Sequence, residues 1–218
     1  MLKLNCKAFI FDLDGTLVDS TACVENVWRI WSERYQQDED TVMSVVHGRP
    51  IEDTLKLVSP HFLTPEHVQE VKDIALEQMK DVMEIAGARS FLSSLPLFSW
   101  AVATSGPRNV SLQSMHAAKL PTPLVLVTAD DVAEGKPSPE PYLTAVERLG
   151  VSPDECVIFE DSPAGVASGF NAGCTVVALG KKAQHIEDVT ICIRDFTQLA
   201  IRNVGTNGEM LFELHISK

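Results

Sequence analysis

The sequence predicts an α/β fold, a Rossmann-like parallel sheet flanked by helices, with an all-helical subdomain inserted after its first strand. Three observations predict it. Short apolar runs alternate with single helical patterns from Trp100 onward. Two of those helical patterns open on Ser-Pro and close on Gly, which marks their ends. Between the first and second apolar runs, from Ser20 to Gly87, apolar residues recur only at helical spacing.

The first run, Cys6 to Phe11, is too short for a helix and is stopped by Asp12, so it reads as one strand buried on both faces. Three apolar stripes follow: Val24, Val27, Trp28, Trp31 and Tyr35, then Ile51, Leu55 and Val58, then Val68, Val71, Ala75, Met79 and Val82 behind Thr64-Pro65. The remaining strands are Trp100 to Thr104, Leu124 to Val127, Val157 to Phe159 and Thr175 to Leu179. Helices are expected after Pro107 to about His116, from Pro139 to Leu149, and from Pro163 to just before Gly173. Ser138 and Ser162 stand as N-caps of the last two. Ile201–Val204 and Met210–Ile216, joined through Gly205-Thr206-Asn207-Gly208, read as a hairpin at the sheet edge. The expected division is a core of residues 1–18 and 87–218 with a helical unit of residues 19–86.

The 218 residues include 18 Lys plus Arg against 30 Asp plus Glu, a net charge of −12 with His neutral. That balance repels polyanions, so neither nucleic acid nor an anionic membrane is an expected partner. No window approaches the ~20 apolar residues of a membrane span. The five cysteines are odd in number and include no C-x-x-C pair, and the N-terminus lacks a signal-peptide pattern. Together these predict a cytoplasmic protein with reduced thiols, and a monomer is the default expectation. The six histidines form no metal constellation.

Open α/β sheets bind ligands beyond the carboxyl ends of their strands, so the residues that follow each run matter most. The first run is followed by Asp12-Leu13-Asp14-Gly15-Thr16, and the second ends in Thr104-Ser105-Gly106. A loop carrying Lys136 follows the third, and Glu160-Asp161 the fourth. Taken singly, each has an ordinary reading as a turn, a helix cap or a surface charge. Together they deliver several carboxylates and a lysine to one edge. Carboxylates so placed call for a hard cation, and oxygen ligands with open positions suit Mg²⁺. Lys136 would hold a phosphate as a point charge, with hydroxyls and amides of Thr104, Ser105 and Gly106 on its oxygens. Such equipment serves phosphoryl transfer, in which a carboxylate can act as nucleophile. In the helical insert, His47 and Arg49 flank Gly48 between two helical segments, where they are candidates for contacting the substrate.

Phe9-Ile10-Phe11-Asp12-Leu13-Asp14-Gly15-Thr16-Leu17-Val18-Asp19-Ser20 resembles the first motif of the haloacid-dehalogenase-like phosphatases. Thr104-Ser105-Gly106, Gly135-Lys136-Pro137 and Glu160-Asp161-Ser162-Pro163-Ala164-Gly165-Val166 resemble its second, third and fourth motifs, in order. Within the family the chain is similar to the bacterial sugar-phosphate phosphatases (hexitol and 2-deoxyglucose-6-phosphate phosphatases), including Val46-His47-Gly48-Arg49 in the insert. The resemblance implies a phosphatase for small sugar or polyol phosphates. In that scheme Asp12 attacks phosphorus and becomes phosphorylated, while Asp14 serves as general acid and then base. Mg²⁺ is held by Asp12, the backbone carbonyl of Asp14, and Asp161, with Glu160 direct or through water. Thr104 and Lys136 hold the phosphate, and the insert closes over the substrate as a cap.

Related readings remain: a phosphomutase, a glycerol phosphate or nucleotide phosphatase of the same fold, and a non-catalytic phospho-accepting signalling module. Similar phosphomutases carry a His where Val24 stands, and the signalling modules are shorter, with no helical insert.

Overall fold

In the computed structural model, which describes residues 2–180, 186, 189, 191–205 and 210–217, the first apolar run is two strands rather than one. Leu2–Cys6 (β1) and Ala8–Phe11 (β2) part at Lys7 and enter different sheets. Only β2 is buried along its whole length.

The chain continues through Val18–Asp19 (β3), helices Thr21–Tyr35 (α1), Glu39–Met43 (α2), Ile51–Val58 (α3) and Pro65–Gln78 (α4), then Met83–Glu84 (β4) and Ala88–Ser93 (α5). From there strands and helices alternate: Trp100–Ala103 (β5), Arg108–Ala117 (α6), Val125–Val127 (β6), Glu140–Leu149 (α7), Cys156–Glu160 (β7), Pro163–Asn171 (α8) and Thr175–Leu179 (β8). Cys192–Ile193 (β9), Leu199–Asn203 (β10) and Phe212–Ile216 (β11) complete it. Six strands form one parallel sheet in the order β6-β5-β2-β7-β8-β9. The chain runs outward on one side of β2, to β5 and β6, and then returns to its other side. This reversal is the topological switch point at which open α/β sheets form their crevice.

Alternation along β2 divides the core. Phe9 and Phe11 face a layer with Trp100, Phe91 and Phe159, in which the Phe11 and Phe159 rings stack at 5.1 Å. Ala8 and Ile10 face the opposite layer, with Tyr142 and Ala145 of α7 and Val166 of α8. The small residues allow α8 to lie close: a Cβ on Gly169 would stand 2.7 Å from the Val176 side chain. Each fully buried Phe contributes about 1.5–3 kcal/mol of transfer free energy, so the aromatic layer is the principal anchor of the sheet.

Helices α1 to α4 enclose a third apolar cluster, with Val27, Trp31, Val42, Leu55 and Val71 buried. Val110 of α6 joins it from the sheet side. The stripes in the sequence are the faces that form this cluster. Helix α2 and the β3–β4 pair have no periodic signature in the sequence, because segments this short carry no readable period.

Two expectations need correcting. The C-terminal hairpin strands lie not at the edge of the parallel sheet but in a separate antiparallel sheet of order β1-β11-β10. Three of the four residues named for its turn, 206–208, lie outside the described residues. At α7 the cap position belongs to Pro139; the Ser138 hydroxyl accepts from the Glu140 amide at 3.3 Å instead. Ser162 does cap α8, accepting from the Gly165 amide at 3.1 Å.

Asp131, after β6, ties three elements together. It accepts from the Thr128 amide and hydroxyl at 2.9 and 2.7 Å, from Arg108 of α6 at 2.7 Å and from Arg148 of α7 at 3.2 Å. Burial disfavours its charge, but those donors outweigh burial and lower its carboxyl to about 2. A lowered carboxyl contributes stability that is complete above the unfolded value near ~4 and is lost as pH falls through the folded value. Asp131→Asn is therefore expected to lower Tm by about 2–4 °C at neutral pH, on the order of 1 kcal/mol. In thermal melts the gap should close between pH 4 and pH 2; a gap independent of pH would show that charge is not involved.

Candidate active site

The site lies at the carboxyl edge of the central strands. Asp12 leaves β2 with its amide donating to the Phe159 carbonyl at 3.0 Å, which holds it beside β7. Lys136, 1% exposed, reaches in from the loop before α7 and donates to Asp12 Oδ1 and Glu160 Oε1, each at 2.6 Å. A buried ammonium between two carboxylates satisfies the requirement that buried charge be paired. The Tyr142 hydroxyl donates to the same Glu160 oxygen at 2.9 Å, and the Lys136 ammonium lies 4.8 Å from the centre of the Tyr142 ring. Glu160 Oε2 accepts from the amides of Asp161 and Ser162 at 2.9 and 3.0 Å and from the Ser162 hydroxyl at 3.1 Å.

Two glycines make room for these carboxylates. A Cβ on Gly15, where φ is +83°, would stand 2.2 Å from Asp161 Oδ2, and one on Gly165 would stand 1.6 Å from Glu160 Oε1. Any side chain at either position displaces an acidic group.

Carboxylate oxygens of Asp12, Glu160 and Asp161 lie within 4.8 Å of one another. Burial, followed by the charges of Glu160 and Asp12, pushes the Asp161 carboxyl well up. Burial likewise raises Asp12, to about 7, against the pull of Lys136. Lys136 is itself raised: burial opposes its charge, but Asp12 and Glu160 more than compensate. One lysine thus serves several crowded acids, and an all-oxygen set with excess negative charge fits a hard divalent cation. Both Glu160 oxygens already have protein donors, whereas Asp12 and Asp161 each have one oxygen, Oδ1, with a donor among the described residues. The Asp14 side chain is not part of this acidic group.

Asp14 follows two residues after Asp12 in a tight turn, in which Gly15 donates to the Val18 carbonyl at 2.8 Å. Its Oδ1 is buried and makes no hydrogen bond to the described residues. Burial raises its carboxyl, while the Ser20 hydroxyl and Lys136 offset part of the effect. A carboxyl whose charge burial disfavours and whose Oδ1 is short of partners suits proton donation.

Thr104 is buried at the end of β5, and its hydroxyl accepts from the Gly106 amide at 3.0 Å, leaving its own proton available. The Gly106 amide, expected to face a ligand, is thereby engaged. The Ser105 hydroxyl crosses to the Gly48 carbonyl at 3.1 Å. The insert is seated on the core at this point, since a Cβ on Gly48 would come within 2.6 Å of the Ser162 hydroxyl oxygen.

His47 and Arg49 are both exposed and border a cleft of about 820 Å³, open mouth included, that also reaches Asp12, Asp14, Thr104, Ser105 and Asp161. His47 Nε2 lies 3.4 Å from a Glu25 carboxylate oxygen. Sequence reasoning missed Tyr142, because a tyrosine in a helix's apolar stripe reads as core. Among the described residues, no helix is long and apolar enough to cross a membrane.

Hexitol phosphatase A of Escherichia coli is 34% identical over 96% of this chain and all of its own length. Glycerol-1-phosphate phosphohydrolase 1 of Saccharomyces cerevisiae is 34% identical over 82% of this chain and 76% of its own length. The crystal structure of a hydrolase from Pseudomonas syringae superposes with a TM-score of 0.75 at 26% identity, covering 87% of this chain and 94% of that one. The family model described as haloacid dehalogenase-like hydrolase matches residues 9–179, from the strand before Asp12 through β8, and the chain belongs to that family.

Proposed function

We propose that this hydrolase cleaves phosphate monoesters of small sugars or polyols through a phosphorylated Asp12. One observation carries the reading: Lys136 is buried between Asp12 and Glu160, with Asp161 beside them, at the sheet edge where the cleft opens. The curated relatives named above act on phosphate esters of polyols by their names, which supports the substrate class.

Asp12 attacks phosphorus, the ester P–O bond breaks, and Asp14 gives its proton to the departing alkoxide. Water then attacks the phosphoryl group on Asp12, Asp14 takes back a proton, and inorganic phosphate leaves with the Asp12 carboxylate restored. Asp12 and Asp161, with Glu160 direct or through water, would hold Mg²⁺, which would supply positive charge to the phosphoryl oxygens. Lys136 and the Thr104 hydroxyl orient them. Residues 19–86 act as a cap that excludes water while the ester bond is open. Val24 lines the cleft with an aliphatic side chain that cannot move a proton, which favours hydrolysis over a mutase reaction.

Phosphate release measured across hexose, hexitol and triose phosphates, with Mg²⁺ and with EDTA, tests the reading. Release is expected with Mg²⁺ and not with EDTA; silence across the panel would refute it. Arg49 borders the cleft, so Arg49→Ala is expected to raise KM several-fold and change kcat less. An unchanged KM for every ester would remove Arg49 from the substrate site.

A further inference from the structure

Beyond the carboxylates, the cleft changes character. Its inner wall is built from Val24 and Val27 of α1, Val46, Val71 of α4, Met79, and Val110 of α6. Most of these are buried members of the apolar cluster that joins the helical insert to α6. Polar side chains lining the cleft fall into two other places. Asp12, Asp14, Asp161, Thr104 and Ser105 surround the reacting end, and the Ser105 hydroxyl is already given to Gly48. His47 and Arg49 stand exposed at the rim. Among the other lining residues, polar side-chain groups come from the Ser20 and Thr21 hydroxyls and the Trp28 indole N–H.

Resting on the phosphatase reading above, we propose that the preferred substrate is a deoxygenated sugar or polyol phosphate, with a hydroxyl-poor alcohol half whose C–H face packs on the Val27–Val71–Met79 wall. A hydroxyl carried into that wall leaves water and finds no partner, whereas a methyl or methylene in its place gains burial. Specificity of this kind arises from the unpaired polar group more than from the extra apolar contact. A fully hydroxylated chain would exceed what two hydroxyls, one indole N–H and the rim can satisfy. The acidic reacting end does not set this preference, because every phosphate monoester presents it with the same group.

The test compares two esters that differ by one hydroxyl, 1,2-propanediol 1-phosphate and glycerol 1-phosphate, on the wild-type protein with Mg²⁺. The expected kcat/KM favours the propanediol ester by fivefold or more, which corresponds to about 1 kcal/mol. Any smaller ratio overturns the proposal. Val71→Thr, which places a hydroxyl on the wall at nearly constant volume, is expected to reduce the ratio at least twofold in protein that melts cooperatively. An unchanged ratio in that folded variant overturns the assignment of the wall. Phosphate release from both esters without preference removes this inference alone. Release from neither, nor from p-nitrophenyl phosphate, removes the phosphatase reading together with it.

Discussion

Asp12→Asn is expected to lower kcat for phosphate-monoester hydrolysis by at least about 10³-fold while leaving the fold intact. An amide has no anionic oxygen with which to attack phosphorus, so the covalent route stops at its first step. The fold survives because Lys136 keeps its second partner, Glu160 Oε1 at 2.6 Å, and because the amide retains an oxygen toward the ammonium. Substrate binding should persist, since Lys136 and Thr104 are unchanged. Stopped-time phosphate release with a circular dichroism melt checks both halves. Turnover within tenfold of wild type would exclude Asp12 as the attacking group.

The second large effect concerns Lys136. Replacing it with Met preserves length and removes the charge, leaving Asp12, Glu160 and Asp161 together with no internal cation. Stripping one partner from a buried ion pair costs about 3–5 kcal/mol. Lys136→Met should therefore unfold at distinctly lower urea concentration in EDTA, and it should lose most of its activity. Part of the lost stability should return with Mg²⁺, because a ligand bound only by the folded state adds to its stability. If the urea midpoint shifts equally with and without Mg²⁺, cation and ammonium do not share the same carboxylates.

Much of this arrangement was legible in the sequence, for a geometric reason. Parallel strands place their carboxyl ends on one edge, so the residues after the Phe9–Phe11, Trp100–Ala103 and Val157–Phe159 runs had to converge once the strands were recognised. The allocation of partners within the cluster was not legible. Glu160 reads as a metal ligand, direct or through water, and nothing in the sequence shows that its oxygens also accept from Lys136, Tyr142, Ser162 and the Asp161 amide. Tyr142 arrives from a helix whose pattern shows only that the residue is buried. The break at Lys7 was hidden for a similar reason. Leu2–Cys6 becomes a strand by pairing with Phe212–Ile216, some two hundred positions away, and nothing local announces such a partner. The turns at Gly15 and Gly48 were visible as glycines, but the requirement for them lies in the Asp161 and Ser162 atoms that a Cβ would strike.

The two-residue strands β3 and β4 carry a consequence out of proportion to their size. Val18 pairs with Glu84 and Asp19 with Met83, so the chain departs for the helical insert and comes back at adjacent points. An element attached by such a doorway can be lengthened, shortened or exchanged for another without moving either neighbour in the sheet. Selection can then remodel the substrate-facing wall while the phosphoryl chemistry is inherited untouched, and a chimera spliced at these two strands should keep its Asp12 machinery while adopting the donor's taste in alcohols.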